Sequence, residues 1–298
     1  MEEKHFGPIW FVPGANGGRY PFCHSVYIEG PGILIDPGSD RNRLLRLRED
    51  PGVNTIWLTH WHEDHLMHLD LFDDLPVFIG EPDAPAISGI ESFLDAYGMD
   101  VEEDRAYWRL VLERDFHFKS RTTSGFLEEG GILNPGGVAV EVLSTPGHTP
   151  GHLSFFFSEQ ELLFMGDYDL YKFGPWYGDT GSSIEQTIAS ANRLRNHPAR
   201  VWVTSHETGI FEQNPGEHWD RYMDVISRRE EKLYAFLERP RTLEEIVGAW
   251  IIYGKPREPK AFFEFGERAL MKKHLKRLLD QGRIGLADTR YHRIGMPT

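Results

Sequence analysis

The run Thr59-His60-Trp61-His62-Glu63-Asp64-His65 places three imidazoles and the Asp64 carboxylate within six positions. If buried, each such side chain needs a polar partner of its own. Four of them side by side suit a shared metal better than four separate partners. Just upstream, Thr55-Ile56-Trp57-Leu58 is apolar and β-branched and reads as a buried strand. The cluster therefore falls at a strand end, opening toward a helix that begins near Asp64. A loop held between rigid elements is the usual place for chemistry.

Working outward, residues up to about 210 alternate short strand-like runs with glycine-rich turns and helical patterns. Strands are expected at Ile9–Val12, Ser25–Glu29, Ile33–Ile35, Val77–Ile79, Val138–Leu143, Leu153–Phe157, Leu162–Met165 and Val201–Thr204. Helices are expected near Arg41–Glu49, Asp64–Phe72, Ser183–Arg195 and Trp219–Leu237. Strands with flanking helices indicate a layered α/β body. Residues 83–120 read as a helical insertion whose apolar stripe (Phe93, Leu94, Tyr97, Met99, Trp108) is either plain core or a lid over the site. Past about 240 the pattern changes. Thr242-Leu243-Glu244-Glu245 resembles a capping box opening a helix through Trp250. A second helix is expected over Glu267–Gln281, then two strand-like runs, Arg283–Ala287 and Tyr291–Ile294. Helices followed by a small hairpin suggest a winged-helix unit. The division is a catalytic domain over 1–218 and a C-terminal domain over 219–298.

Charge divides the same way. Residues 230–298 carry 14 Lys and Arg against 10 Asp and Glu, whereas residues 1–229 carry 18 against 36. That asymmetry argues for two units with different partners, and a strongly acidic body repels nucleic acid unless a local basic path exists. The longest apolar runs are strand-sized, so no membrane span is expected. Met1-Glu2-Glu3-Lys4-His5-Phe6 has no basic segment leading into an apolar one, so no secretory signal is read. Cys23 is the sole cysteine, which rules out an internal disulfide, fits a reducing cytoplasm and favours inert packing.

Three further candidates sit at turns after strands: His148 in Thr145-Pro146-Gly147-His148-Thr149-Pro150-Gly151-His152, Asp167 after Leu163-Phe164-Met165-Gly166, and His206 after Val201-Trp202-Val203-Thr204-Ser205. Groups that share this position are able to converge on one rim of a sandwich. A zincin site is excluded, since His62-Glu63 is followed by a histidine one position too early.

This order of pieces resembles the metallo-β-lactamase superfamily: a His-x-His-x-Asp-His run, a histidine in a Thr-Pro-Gly-His turn, a Gly-Asp carboxylate and a late histidine, over roughly residues 8–210. Leu34-Ile35-Asp36-Pro37-Gly38 is similar to the superfamily's first motif, whose Asp supports the site without binding metal. The resemblance implies a four-layer αββα sandwich and two divalent metal ions, zinc foremost, with iron or manganese as alternatives. His60, His62 and His148 would hold one ion and Asp64, His65 and His206 the other, with Asp167 bridging. Three imidazoles leave an open position for water, and added carboxylate suits a second, borderline-hard ion. His152 reads either as support for a ligand or as packing. Leu66-Met67-His68 stands where the superfamily commonly has glycines, which places His68 beside the pocket. The flavodiiron branch has Glu where His62 stands and is disfavoured.

The implied reaction is attack by a metal-bridging hydroxide, oriented by the catalytic Asp64, on an ester, thioester or related acyl bond of a small, partly apolar substrate. Tyr171-Lys172-Phe173-Gly174-Pro175-Trp176-Tyr177 supplies an aromatic loop suited to such a group, or else a packed surface loop. Residues 219–298 also look similar to the tail of the β-lactamase-like protein 2 group, which includes endoribonucleases. Lys272, Lys273, Lys276 and Arg277 would then meet RNA phosphates, or simply form a solvated helix face. A mononuclear iron persulfide dioxygenase is a further alternative. Partners are otherwise a small-molecule substrate and no membrane, with a homodimer left open.

Overall fold

The computed structural model describes residues 1–294, and the apolar stretches pair into two sheets. The first holds β1 (Lys4–Phe6), β2 (Ile9–Val12), β3 (Ser25–Ile28), β4 (Ile33–Ile35), β5 (Thr55–Trp57), β6 (Val77–Ile79) and β7 (Gly125–Phe126), in that spatial order. The second holds β8 (Ile132–Leu133), β9 (Val140–Ser144), β10 (Leu153–Phe157), β11 (Leu162–Phe164), β12 (Val201–Val203) and β13 (Ile210–Phe211), again in chain order across the sheet. Pairing is antiparallel except from β4 through β7 and between β11 and β12.

Alternation along the strands sorts side chains into two faces. Val26, Ile28, Ile33, Ile35 and Trp57 of the first sheet meet Val140, Val142, Phe155, Phe164 and Val203 of the second in a common core. The opposite faces are covered by helices. On the first sheet, Leu34 and Ile56 pack with α1 (Arg41–Leu47), α3 (Ile90–Tyr97) and α4 (Glu102–Arg114) through Leu44, Phe93, Trp108 and Leu112. On the second, Leu143, Leu163 and Trp202 pack with α5 (Ile184–Arg195) and the front of α6 (Glu217–Phe236) through Leu194, Trp219 and Tyr222. The result is the expected four-layer αββα sandwich.

Local boundaries differ in three informative places. The helix expected over Asp64–Phe72 closes after one turn, α2 (Glu63–Leu66), because the His68 N–H donates to Pro37 O, 2.9 Å away, rather than continuing the helix. The second C-terminal helix, α8, runs from Lys260 to Asp280 and so begins about two turns before the expected Glu267. The helix begun by the Thr242 capping box, α7, stops at Val247, short of Trp250, which takes the left-handed region (φ 51°).

The division expected at 218/219 would cut α6 within its first turn, and the two halves of this helix pack in different cores. Its first half packs on the second sheet, while Leu233 and Leu237 join Ile246, Met271, Leu275, Leu278 and Ile284 in a separate small core closed by the hairpin β14 (Ile284–Ala287) and β15 (Arg290–Arg293). No helix among the described residues is long and apolar enough to cross a membrane.

Phe164 is fully buried between the sheets, so Phe164→Ala is expected to lower the unfolding free energy by about 3–5 kcal/mol in urea titration. Leu110→Ala, at a site 66% exposed, should change it by less than about 0.5 kcal/mol.

Candidate metal centre

Strand direction brings the candidate residues together. β9 and β11 are each antiparallel to β10 and therefore run the same way, and β12 is parallel to β11. The turns after them, with His148, Asp167 and His206, emerge on one rim. In the other sheet β4 and β5 are parallel, so Asp36 and the His60–His65 loop also leave side by side. The rims are joined where Leu153 N–H donates to Thr59 O (2.8 Å) and His24 N–H to Ser205 O (2.6 Å).

All seven predicted residues meet there, in two groups. His60 Nε2, His62 Nδ1 and His148 Nε2 lie 2.9–3.1 Å from one another, and Asp167 Oδ2 is 3.3 Å from His148 Nε2. Asp64, His65 and His206 form the second group, with His206 Nε2 3.2 Å from Asp64 Oδ2. Asp167 spans both, because its other oxygen, Oδ1, is 2.9 Å from His65 Nε2 and 3.5 Å from His206 Nε2.

The outer nitrogen of every ring is committed. Thr59 Oγ1 donates its one proton to Asp36 Oδ2 (2.7 Å), so it accepts from His60 Nδ1 (2.8 Å). His65 Nδ1 donates to Asp36 Oδ2 (2.9 Å), His62 Nε2 to Asp179 Oδ2 (2.8 Å), His148 Nδ1 to Trp176 O (3.2 Å) and His206 Nδ1 to Gly18 O (2.8 Å). Five rings thus turn their second nitrogen toward the same small volume, where the buried His65 Nε2 and Asp167 Oδ1, 2.9 Å apart, face each other without the alignment of a hydrogen bond. Imidazoles held this way, with two carboxylates between them, form a donor set that fits two divalent cations.

Electrostatics agree. Burial keeps His60 neutral and lowers His148 to about 4. Burial also opposes charge on His62, His65 and His206, but the carboxylates outweigh it: Asp179 pushes His62 up to about 9, and Asp167 raises His65, as Asp169 and Asp167 raise His206. Against the same burial, His65 and His206 hold the Asp167 carboxyl well below its usual range. A bound cation would take the place of those protons.

Several supporting residues carry no sequence motif and were not anticipated. Asp179 joins His62 to Trp176 Nε1 (2.7 Å), and Ser182 Oγ donates to His148 O (2.5 Å). The loop carrying them is fastened by the C-terminal unit, where Lys273 Nζ donates to Thr180 O (3.0 Å) and Ser182 O (2.8 Å). Asp83, its carboxyl pushed up by burial to about 7, accepts from Thr149 Oγ1 (2.6 Å) and Gly151 N (2.6 Å) and fixes the turn that presents His148. His152 supports the centre, since its Nε2 accepts the Asp167 N–H at 3.2 Å. The expectation for His68 fails: its ring lies by Arg41, which holds Asp70 in a bidentate pair, and it does not line the pocket.

The centre opens into a cavity of about 370 Å³ bounded by both units. Tyr171, Phe173 and Trp176 of the predicted aromatic loop line it, as do Tyr97 and Trp108 of the insertion. So do Tyr253, Phe262, Phe263 and Phe265, which no local pattern pointed to.

Removing the partner of His62 should act selectively. Asp179→Ala is expected to weaken cation binding at the three-histidine group by about 10–100-fold, leaving the Asp64 group within about threefold. Competition with a chromophoric chelator reads both affinities.

The Metallo-beta-lactamase superfamily profile matches residues 17–206, more than half of the chain. A probable metallo-hydrolase of Streptococcus pyogenes is 35% identical over 142 residues, 45% of this chain and 56% of that protein, so the chain spans about half of that relative's length. An atrochrysone carboxyl ACP thioesterase of Aspergillus fumigatus is 24% identical over 80% of this chain and 67% of its own length. A metallo-beta-lactamase family protein from Thermus thermophilus superposes with a TM-score of 0.72, covering 96% of this chain and 99% of that one at 24% identity, which speaks for the shared fold. Two sheets, a rim of histidines and aspartates and a matching profile lead to one conclusion: the chain belongs to the Metallo-beta-lactamase superfamily.

Proposed function

We propose that the protein hydrolyses an acyl thioester or ester with two divalent cations, zinc foremost, held by His60, His62 and His148 on one side and Asp64, His65 and His206 on the other, with Asp167 between. The observation that carries this is the split of the Asp167 carboxylate, one oxygen to each group of rings. The chemistry that divalent cations would supply there is a lowered pKa for bound water and polarisation of a carbonyl.

What the chain itself contributes follows from the cavity lining. Among the described residues, neither serine nor cysteine borders the cavity, and Cys23 is buried with its thiol pushed up by that burial. The nucleophile is therefore water rather than a side chain, and no acyl-enzyme forms. Asp64 borders the cavity beside His206, placed to orient that water and take its proton. Aromatic walls receive the acyl group and keep bulk water from the reacting carbonyl.

Similarity to a carrier-protein thioesterase supports a thioester as the bond cut. The ribonuclease alternative is less favoured, because its lysines border a neighbouring groove rather than the cavity over the metal centre. Lys272 lies 3.8 Å from Asp100, Lys276 2.6 Å from Asp280 and Arg277 2.7 Å from Glu230, while Lys273 is spent on the loop carbonyls. No Lys or Arg borders the cavity to meet a phosphate.

Treatment with a strong chelator should abolish thioester hydrolysis, with recovery on adding zinc, iron or manganese. Loss of cations present at a thousandfold over their Kd should also remove about 4 kcal/mol of stability per site in a thermal scan. In the loaded enzyme, Asp64→Asn should lower kcat by about 10²–10⁴-fold. Turnover that survives chelation, or an acyl-enzyme seen by mass spectrometry, would refute the reading.

A further inference from the structure

We infer that the cavity over the metal centre is a receptor for an uncharged aromatic acyl group of two or three rings, a specificity that rests on the acyl-hydrolase reading above. Ten of the residues bordering it are Tyr, Phe or Trp, and none is Lys or Arg. Apart from the metal centre itself, the lining holds no cation to pair with a carboxylate on the acyl group, which favours an uncharged one.

Size sets the ring count. A cavity of about 150 Å³ accommodates benzene, and this one measures about 370 Å³.

The walls are built to present ring surfaces. Glu63, buried between two predicted metal ligands, accepts hydrogen bonds from Tyr20 Oη (2.7 Å) and from Tyr97 Oη. Both hydroxyls are thereby turned onto one carboxylate, which fixes the two rings. Tyr97 also lies parallel to His62, with centroids 5.2 Å apart and planes 5° from coplanar, so one wall adjoins the metal centre directly.

The facing wall comes from the early start of α8. Phe262 stands 5.4 Å from the Tyr20 ring and 5.6 Å from that of Trp108, and Phe265 stands 6.0 Å from Tyr97, all centroid to centroid. Rings from the two units therefore interlock around the cavity. Aromatic pairs in offset or edge-on contact gain beyond the area they bury, so a flat aryl guest is favoured over an alkyl chain of equal size.

The test uses the full-length, metal-loaded protein with 2-naphthamide and octanamide as uncharged, uncleaved probes in calorimetry. The 2-naphthoyl, octanoyl and succinyl thioesters of N-acetylcysteamine serve as substrates. Naphthamide is expected to bind at least tenfold more tightly than octanamide. The naphthoyl thioester should exceed the octanoyl in kcat/KM at least tenfold, and the succinyl at least a hundredfold. Phe262→Ala, at a half-buried position, should weaken naphthamide at least fivefold. Phe263→Ala is the second variant should the first prove unstable. Octanamide binding equal to or tighter than naphthamide, or a succinyl thioester preferred to the naphthoyl, would overturn the inference. If naphthamide is preferred while no thioester is cut, the receptor stands and the proposed reaction falls. If thioesters are cut with no aryl preference, the reaction stands and the receptor falls.

Discussion

Everything at this rim depends on keeping five imidazoles and two carboxylates together inside a protein without letting them neutralise one another. Left free, such groups would pair at random or draw in water. Here each ring is pinned by its outer nitrogen, to Thr59, Asp36, Asp179, Trp176 O or Gly18 O, and only the inner nitrogen faces the shared volume. The cost of burying those polar groups is offset by hydrogen bonds on one side and, when loaded, by cations on the other. Asp36 has a double role, taking the Thr59 hydroxyl and the His65 ring on the same oxygen and so tying both metal groups to the end of β4.

The C-terminal unit is more than an appendage to the sandwich. Lys273 holds the loop that carries Asp179 and Ser182, Tyr177 Oη meets His274 Nε2 at 2.9 Å, and Arg229 donates to Pro175 O and Phe173 O. These contacts run from α6 and α8 to the loop that steadies His62 and His148. The same helix supplies the phenylalanines of the cavity wall. α8 thus touches both the loop beside the candidate metal centre and the wall of the cavity.

Much of this was readable from residue order. The ligands announced themselves because each lies next to a strand end with a distinctive local run, and strand ends on one edge of a sheet are brought together by topology alone. The supports did not announce themselves. Asp179 is an aspartate in a glycine-rich loop, Glu63 lies inside the histidine run with no sign that it anchors Tyr20 and Tyr97, and Asp83 is an acid after a proline. Their partners lie 117, 43 and 66 residues away, beyond the reach of any local pattern.

Periodicity and turn residues, properties of neighbouring positions, decided which segments became strands, where the histidines stood relative to them and that the body would be layered. They also misplaced the start of α8, because Phe262 and Phe263 followed by Phe265 look like ordinary core until the other wall of the cavity is known. Which nitrogen of each ring points inward, how Asp167 divides its oxygens and what shape of guest the cavity accepts were settled by tertiary packing. Each of these is fixed by contacts between residues far apart in the chain, and such contacts exist only once the sheets and helices have closed on one another.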